Sequence, residues 1–320
     1  MVVGLGSIGR THVRTLAELG AAVEAVTRRP HELGAAAGDV GATHPSIDAA
    51  LAAAEFDYCV VASATADHAA DVAALAAAGF GGTLLVEKPL VARSGEFPDG
   101  LAFERVGVGY NLRFHPAVRW LQGQLGGEPV LVADLVAQSF LPEWRPGRDH
   151  RATASASRAR GGGVLRDLSH EIDLMMLLFG EPRSVAARGG NLGELGIEAE
   201  TAVSALLELE RAPVATLRLG YLDRLPERRI RVTTARDTLE ADLLSGACRS
   251  SIGEEAHPVD WPRTYAELHQ AMLGEGPAPV CTLAEGLDAV ACVERLEEAL
   301  GEVLDVGGRT GAPLARSGAR

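Results

Sequence analysis

The sequence predicts an α/β fold with two domains: a parallel sheet flanked by helices, then an α/β domain built on a large, open, mostly antiparallel sheet. Three observations support this prediction. The chain has 320 residues, and a single hydrophobic core rarely grows past about 250 to 300. Short apolar strands alternate with helices over the first part of the chain, and longer strands of alternating polarity follow from about Val130. We therefore expect one domain over residues 1–106 and a second over residues 107–320, with the last helix able to pack back on the first domain.

The first element is a short strand that leads into the glycine motif GLGSIG at residues 4–9. A helix and a second strand follow, and this order is the one that the Rossmann dinucleotide-binding fingerprint, G-x-G-x-x-G, requires. We expect Gly4 to make the tight turn, Gly6 to let the backbone approach a pyrophosphate, and Gly9 to allow close packing of the helix. Ser7 and Ile8 begin the helix, so their amides are expected to face the phosphates.

The end of the second strand favours NADP over NAD. A carboxylate about 20 residues further on usually binds the ribose hydroxyls, but Glu24 stands mid-strand, too early to reach them. Thr27, Arg28 and Arg29 occupy the strand end instead. A hydroxyl and two guanidiniums suit a 2′-phosphate better than a carboxylate does. A solvated basic turn is the alternative interpretation of these residues, and NAD is the alternative cofactor.

The next two strands end in polar residues at what should be one edge of the parallel sheet. SIDAALAAAEF and DHAADVAALAAAGF predict helices, and DYCVVASAT and TLLVEKPL predict the strands between them. Ligands of such sheets bind at the carboxyl ends of the strands. The candidate cofactor-binding residues at these ends are Ser63, Thr65, His68, Glu87 and Lys88. His68 could instead cap its helix or lie in solvent.

Lys88 is the only lysine among the 30 basic residues of the chain. Such a composition indicates a coding bias that replaces lysine with arginine wherever either will serve. A guanidinium stays protonated in proteins, whereas burial and neighbouring charges can tune an ammonium. The survival of Lys88 therefore predicts a site that requires the chemistry of lysine itself.

After Phe103 the pattern changes to longer strands. RVGVGYNLRFHPAVRWLQGQL predicts a short strand and a helix. The runs VLVADLVAQSF, AVSALLELE, PVATLRLGYL and RRIRVTTARDTLEADL predict strands of a sheet with one covered face. LAEGLDAVACVERLEEAL predicts a closing amphipathic helix, and LPEWRPGRDHRATASASRARGGG predicts a long mobile loop.

The segment GGGVLRDLSHEIDLMMLLFG, residues 161–180, places ionisable groups at the start of an apolar helix. Because helical residues three apart share a face, Asp167, His170 and Asp173 are expected to line one side. The glycines would let the backbone approach a cofactor and substrate closely. Hydride transfer from a carbinol carbon leaves a hydroxyl proton, and a histidine with a pKa near neutrality suits its acceptance. An acidic helix start with a capping histidine is the plainer alternative.

Four motifs together resemble one known family. GLGSIGRTHVRTL, LLVEKPL, GYNLRFHP and GGGVLRDLSHEIDLMMLLFG occur in the order seen in the glucose–fructose oxidoreductase/inositol dehydrogenase (Gfo/Idh/MocA) family. The resemblance covers about residues 1–180 well. It implies an NAD(P)-dependent oxidoreductase that interconverts a hydroxyl and a ketone on a sugar, nucleotide sugar or cyclitol. It also implies a nicotinamide-binding Rossmann domain and a second domain whose open sheet often forms the interface of a homodimer or homotetramer.

The same resemblance implies roles for individual residues. Lys88, Asp167 and His170 correspond to the catalytic residues, and Asn111 and Arg113 lie in a segment near the substrate pocket. The family usually separates the aspartate and the histidine by four residues, whereas here the gap is three. Either the start of the helix is one residue shorter, or Asp167 is not the equivalent residue. His170 is therefore the surer assignment.

The arginine-rich loop over residues 144–160 is a candidate for binding an anionic part of the substrate. Arg145 and Arg151 could hold a phosphate or carboxylate, which guanidinium geometry suits, and a solvated basic loop is the alternative. Two rival functions stay open: an epimerase or lyase that uses bound NAD(P) transiently, and a non-catalytic NADP-binding sensor. The presence of all three candidate catalytic residues counts against the sensor.

Charge, hydropathy and cysteine usage argue against several other classes of function. A net charge of −13 argues against a nucleic-acid partner, because phosphate binding requires a basic face. No apolar run approaches the roughly 20 residues of a membrane span, and no signal peptide is visible. Four cysteines without paired spacing suit reduced thiols in a cytoplasmic protein. No second histidine stands at ligand spacing, so no metal site is expected.

Overall fold

Two β-sheets organise the chain, and the fold class predicted from the sequence is confirmed. The computed structural model describes residues 1–28, 36, 38–274 and 279–300. The parallel strands of the first sheet are β1 (Val2–Val3), β2 (Glu24–Val26), β3 (Ala42–His44), β4 (Tyr58–Val61), β5 (Thr83–Val86) and β6 (Arg105–Val108). The helices between them are α1 (Ser7–Glu18), α2 (Ile47–Ala53) and α3 (His68–Ala77).

The first sheet has the strand order β3-β2-β1-β4-β5-β6, which is that of a Rossmann domain. Its topological switch point lies between β1 and β4, where the chain direction across the sheet reverses. A late strand, Cys281–Thr282, adds to the far edge antiparallel to β6. The carboxyl ends of β1, β4 and β5 meet at one edge, so the glycine turn and the polar strand ends predicted from the sequence come together there.

The second sheet is mixed, with one parallel pair among antiparallel neighbours. Its strands are β7 (Val130–Phe140), β8 (Pro182–Gly190), β9 (Ala202–Leu209), β10 (Ala212–Gly220), β11 (Leu222–Thr234), β12 (Thr238–Asp242), β13 (Ala247–Ser250) and β14 (Gly253–Ala256). The spatial order is β14-β13-β12-β11-β7-β10-β9-β8, and only β7 and β10 run parallel. The helices of this part are α4 (Pro116–Leu125), α5 (Val164–Asp167), α6 (Ser169–Phe179), α7 (Trp261–Met272) and α8 (Leu283–Ala299).

Several elements differ from the prediction. The run RRIRVTTARDTLEADL forms two strands rather than one, because the Thr234 amide bonds the Asp237 carbonyl at 2.8 Å and reverses the chain. The segment predicted as a long loop contains four 3₁₀ turns, at residues 141–143, 150–152, 154–156 and 158–160. Strands β8, β13 and β14 and helix α7 were not predicted. Within the described ranges, no helix combines the length and the apolarity that crossing a bilayer demands.

The helix predicted within residues 161–180 is broken in two. Leu168 has ψ 28°, which ends α5 and separates it from α6. In a continuous helix the Asp167 carbonyl would accept from the Glu171 amide, but that amide bonds Leu168 O at 3.2 Å. The Lys88 ammonium bonds the Asp167 carbonyl instead, at 2.7 Å. The prediction that Asp167, His170 and Asp173 line one helical face is therefore wrong for Asp167, which lies on α5, while His170 and Asp173 stand three residues apart on α6.

The last helix contacts both sheets. It packs on β8 of the second sheet and on β6 of the first. The Glu294 carboxylate on α8 accepts hydrogen bonds from the Ser94 amide and hydroxyl. Arg166 joins the same contact region, since it pairs with Glu297 and donates to the Ala92 carbonyl. The start of the broken helix segment is thus held against the loop that follows Lys88.

Candidate active site

The glycine motif forms the turn that the sequence predicts. Gly4 has φ +90°, a conformation that favours glycine, and a side chain there would meet the Ser63 amide nitrogen at 2.6 Å. A side chain at Gly9 would collide with the Gly4 carbonyl, so the helix sits tightly on the turn. A side chain at Gly6 would meet nothing within 4 Å. The turn is therefore open on the Gly6 side and packed on the other.

Helix α1 begins at Ser7 and Ile8 without a neutralising group. Gly6 is its N-cap and provides no side-chain cap, and no acidic residue lies in the first turn. The first amides of a helix lack intrahelical partners and carry the positive end of the helix dipole. An open glycine turn and an uncapped helix start fit the pyrophosphate of a dinucleotide.

The residues at the end of β4 contact neighbouring loops and helices of the protein itself. Ser63 donates its hydroxyl to Asp71 at 2.6 Å, and Thr65 lies against Gly161, where a Cβ would be 2.9 Å away. His68 is 1% exposed, and its ring nitrogens lie 3.2 to 3.3 Å from the carbonyls of Ser63, Pro89 and Leu90. Burial lowers the pKa of His68. We therefore assign His68 to packing between two strand ends rather than to cofactor contact.

At the end of β2, Thr27 and Arg28 follow the strand directly. The Thr27 amide bonds His44 O at 2.9 Å, and Arg28 is exposed. Glu24 pairs with His44 at the start of the strand, 2.6 Å apart, so its carboxylate is occupied away from the strand end. Arg29, the third residue predicted for this site, lies outside the described residues.

Lys88 donates two hydrogen bonds, one from its backbone amide and one from its side-chain ammonium. Its amide donates to the carboxylate of Glu87 at 3.1 Å. Its ammonium donates to the Asp167 carbonyl at 2.7 Å, across the gap between the first sheet and the broken helix. Because α5 ends at Asp167, a carbonyl without its helical partner is left there to receive this bond. The structure thus brings the lone lysine to the segment that carries the other two candidate catalytic residues.

The Asp167 side chain is bound by a residue that sequence reasoning missed. Its carboxylate accepts a hydrogen bond from the Tyr221 hydroxyl at 2.7 Å. Tyr221 is 0% exposed, and burial raises its pKa well above the usual value, so it stays a donor. No hydrogen bond joins the side chains of Asp167 and His170, so Asp167 does not orient the imidazole directly. No local signal could have revealed Tyr221, which lies between β10 and β11.

His170 sits at the start of α6 with a nitrogen left without a partner. Its Nδ1 atom is buried and finds no hydrogen-bond partner among the described residues. The edge of the ring meets Tyr110, with centroids 5.6 Å apart at 80°. Burial, then the Lys88 ammonium and the Arg228 guanidinium, lower the pKa of His170 well below its usual value. We expected a pKa near neutrality, and the shift keeps the imidazole neutral in that range.

Three further ionisable groups of this helix segment, Arg166, Glu171 and Asp173, form ion pairs. Each is matched by one partner from a different element, as buried charges require. The pairs are Arg166 with Glu297, Glu171 with Arg228 at 2.6 Å, and Asp173 with Arg113 at 2.6 Å. His170 is thus the group of this cluster that remains without a hydrogen bond to the described residues.

Two residues predicted to bind substrate are structural instead. Asn111 is 3% exposed and donates to the Thr264 hydroxyl at 2.8 Å. Arg113 is 2% exposed and pairs with Asp173 and Glu285, at 2.6 and 3.2 Å. The Asn111 amide nitrogen and the Arg113 guanidinium are therefore bonded within the protein, and we leave both residues out of the proposed substrate site.

The arginines of the basic loop differ in whether they form ion pairs with other residues. Arg151 is tied to Asp149 at 2.9 Å on the surface, so its predicted substrate role is not supported. Arg145 lies with Arg148 and His150 along a small pocket and makes no ion pair with the residues that the structure describes. Trp144 also lines this pocket. Arg148 was named in the sequence only as part of the loop.

The three glycines of residues 161–163 serve the protein's own packing. A side chain at Gly161 would meet Thr65, one at Gly162 the Ala154 carbonyl, and one at Gly163 the Glu200 carboxylate. Glu200 also accepts from the Leu165 amide at 3.3 Å. In the described part of the chain, no group of three or more His, Cys, Asp or Glu side chains could hold a metal ion.

Several solved structures are similar to this chain over almost its whole length. One is UDP-N-acetylglucosamine 3-dehydrogenase GnnA from Acidithiobacillus ferrooxidans, 23% identical, with a TM-score of 0.74 and coverage of 93% of this chain and 96% of that one. A second is the WlbA dehydrogenase from Bordetella pertussis in complex with NADH and UDP-GlcNAcA, 20% identical, TM-score 0.78, covering 93% and 94%. A third is a putative myo-inositol dehydrogenase from Sinorhizobium meliloti 1021, 22% identical, TM-score 0.73, covering 94% and 96%. A search of curated proteins found no match.

Two family models match consecutive parts of the sequence. Residues 1–102 match the model of an oxidoreductase family with an NAD-binding Rossmann fold, GFO_IDH_MocA. Residues 120–240 match the model of the GFO/IDH/MocA C-terminal domain. The first match covers the glycine turn and Lys88, and the second covers Asp167, His170 and Tyr221. The chain therefore belongs to the GFO/IDH/MocA family of oxidoreductases, with an NAD-binding Rossmann domain followed by the C-terminal domain of that family.

Proposed function

We propose that this protein is an NAD(P)-dependent dehydrogenase that oxidises a CH–OH group of a sugar, nucleotide sugar or cyclitol to a ketone. The observation that carries the proposal is the meeting of Lys88 with the segment 167–170. The Lys88 ammonium bonds the Asp167 carbonyl, its charge helps to lower the pKa of His170, and His170 Nδ1 has no hydrogen-bond partner among the described residues. Buried polar groups in proteins are almost always satisfied. An unsatisfied buried nitrogen therefore needs an explanation, and we take contact with a bound ligand to be that explanation for His170.

The chain's own residues fit a nicotinamide dinucleotide. The open side of Gly6 and the uncapped amides of Ser7 and Ile8 would take the pyrophosphate, and Ser63 and Thr65 lie at the adjacent strand end. When bound, the nicotinamide supplies the acceptor for a hydride. We keep Gly4, Gly6, Gly9, Ser7, Ile8, Ser63, Thr65 and Glu87 as the proposed cofactor region, with Gly4, Gly9 and Glu87 acting by shaping it.

We assign the two other catalytic roles, proton acceptance and charge stabilisation, to His170 and Lys88. The neutral imidazole accepts the hydroxyl proton as the carbinol carbon is oxidised, which is general-base catalysis. The Lys88 ammonium stabilises the negative charge that develops on the same oxygen. Asp167 holds Lys88 through its backbone carbonyl, and its carboxylate, fixed by Tyr221, is available for a neighbouring substrate hydroxyl. The lowered pKa of His170 keeps its ring unprotonated and therefore able to accept a proton.

A nucleotide sugar is the substrate class that we place first. Arg145 and Arg148 are exposed cations beside the ring of Trp144, an arrangement that suits a phosphate next to a planar base. The GnnA and WlbA structures, whose names and ligands include UDP-sugars, support the same class. Free sugars and inositols are the alternatives, since a putative inositol dehydrogenase is similar to a comparable degree.

The test is a substrate screen with the purified chain. Nucleotide sugars, free sugars and inositols are supplied with NAD or NADP, and reduction of the cofactor is followed by its absorbance. We expect turnover with at least one compound and none from a His170→Asn sample. Product formation without net reduction of added cofactor would instead assign an epimerase or lyase, and cofactor binding without any turnover would assign a sensor.

Cofactor choice provides a separate prediction. We propose that Thr27, Arg28 and Arg29 bind the 2′-phosphate of NADP. Arg28→Ala should then weaken NADP(H) binding by about tenfold to a hundredfold, because a charged hydrogen bond contributes roughly 1.5 to 3 kcal/mol. NAD(H) binding should change little. Calorimetric titration measures both affinities, and Arg236→Ala, an exposed arginine on the hairpin between β11 and β12, is the matched control. Equal losses for the two cofactors would contradict NADP preference and leave NAD as the cofactor.

We also propose that the chain forms a homodimer or homotetramer through its second sheet. One face of this sheet carries no helix in the described structure and exposes apolar side chains among arginines. Leu206, Val214 and Leu131 are 56%, 44% and 46% exposed on it. Exposed apolar patches of this kind mark interaction surfaces. Sedimentation analysis of the intact chain, which measures its mass in solution, tests this proposal.

A further inference from the structure

A buried series of four polar side chains lies beside the Lys88 segment. Tyr58 on β4, His269 on α7 and His12 on α1 lead in that order to Glu87. The contacts join Tyr58 Oη to His269 Nδ1, His269 Nε2 to His12 Nδ1, and His12 Nε2 to Glu87 Oε1, each at 2.9 Å. Both histidines are 0% exposed. Burying four polar side chains in an apolar interior costs desolvation free energy, even when all of them are hydrogen-bonded. We therefore expect this series to have a role.

The donors in this series have only one arrangement with neutral rings. A carboxylate can only accept, so His12 Nε2 carries a proton and His12 Nδ1 is an acceptor. His269 must then donate from Nε2, which leaves its Nδ1 to accept from the Tyr58 hydroxyl. Burial, and after it the neighbouring His12, lower the pKa of His269 well below its usual value, and burial raises that of Tyr58. Every hydrogen bond therefore points toward Glu87.

The series ends on the Glu87 carboxylate, and both of its oxygens accept hydrogen bonds. Glu87 Oε1 accepts from His12, and Oε2 accepts from the Lys88 amide at 3.1 Å. Gly109 packs against the same carboxylate, since a Cβ there would lie 2.6 Å from Oε1. His12 itself comes from α1, the helix that begins in the glycine turn. The series thus connects the backbone of Lys88 to the helix of the dinucleotide motif.

We propose that His12, His269 and Tyr58 are positioning residues that act through Glu87 on Lys88. They hold the Glu87 carboxylate so that it fixes the Lys88 backbone relative to α1, and the ammonium then reaches the Asp167 carbonyl. The effect on catalysis rests on the proposed function of Lys88. The effect on the Lys88 backbone does not, and the two can be measured separately.

Two substitutions of His12 separate positioning from packing. The side-chain amide of His12→Gln can still donate to Glu87, whereas His12→Leu fills similar space without a donor. Amide hydrogen exchange in the intact chain should be at least about tenfold faster at Lys88 in His12→Leu than in the wild type, and nearly normal in His12→Gln. Equal exchange in the two variants would overturn the proposal. If His12→Leu does not fold, Tyr58→Phe replaces it, with a smaller increase of about threefold expected.

Kinetics and histidine tautomers supply the other readouts. On a confirmed substrate, His12→Leu should lower kcat at least about tenfold with KM and cofactor affinity within about threefold, and His12→Gln should recover most of the loss. Long-range proton–nitrogen NMR of the ¹⁵N-histidine-labelled chain should find His12 and His269 neutral and protonated on Nε2. A ring protonated on Nδ1 or on both nitrogens would overturn the donor order. The expected exchange pattern without turnover of any substrate would instead count against the proposed function alone.

Discussion

Replacing His170 by asparagine is expected to lower turnover at least about a hundredfold, since a positioned general base contributes roughly 10²- to 10⁴-fold. The physical reason is that a carboxamide cannot accept the proton, while it still leaves a polar side chain of moderate size at the start of α6. Folding and cofactor affinity should persist, because His170 makes no hydrogen bond to the described residues. Steady-state kinetics on a confirmed substrate, with circular dichroism and cofactor titration, measures the three properties.

The matched control for this prediction is His257→Asn. His257 follows β14, an edge strand of the second sheet, whereas the glycine turn belongs to the first; it pairs with Glu255, and its side chain is 30% exposed. Its replacement should leave turnover unchanged. Near-normal rates in His170→Asn, with the control also normal, would mean that another residue accepts the proton.

The pH dependence of the wild type follows from the lowered pKa of His170. Oxidation requires the neutral ring, so kcat/KM should hold as pH falls through 6.5 and decline only at more acidic pH. Removing the Lys88 charge, as in Lys88→Met, takes away one cause of the lowering and should move this acidic decline to higher pH. Lys88→Arg keeps the charge and should leave the decline in place.

Lys88→Arg is expected to keep the fold and cofactor binding but to lower turnover at least about tenfold, equivalent to roughly 1.4 kcal/mol of barrier. Arginine retains the positive charge, so attraction to the cofactor phosphates survives. Its guanidinium is planar, forked and bulkier than an ammonium, so it cannot take the same place between the Asp167 carbonyl and the reacting oxygen. Steady-state kinetics beside a cofactor titration measures the two effects.

A double variant shows whether the two residues act on one oxygen. If they do, His170→Asn combined with Lys88→Arg should cost less than the sum of the separate barriers. Additive losses would place the residues in independent steps. Near-normal turnover in Lys88→Arg would mean that the lone lysine is an accident of composition and that the active site is misplaced.

The sequence by itself determined the parts of this protein that depend on the conformation and packing of residues close together in the chain. A strand, a glycine turn and a helix in succession can be identified because the positive φ of Gly4 and the close packing of Gly9 constrain those positions directly. Lys88 and His170 were found for a related reason. Each is an exception to the composition or periodicity of its own segment, and such exceptions are visible without coordinates.

Only the tertiary structure decided which partners those residues meet. Asp167 and Tyr221 are 54 positions apart, so their hydrogen bond depends on how the helix segment and the second sheet pack. The break at Leu168 follows from the same packing, since Lys88 takes a carbonyl that a continuous helix would use.

Burial also changed our interpretation of two residues that the sequence indicated as substrate-binding. Asn111 and Arg113 carry polar groups suited to a substrate, but the fold surrounds them and supplies Thr264 and Asp173 as partners. A side chain's chemistry is local, whereas its access to solvent is set by every element packed around it. The sequence could therefore name the kinds of groups in the site, and the assembled fold determined which of them are free to act.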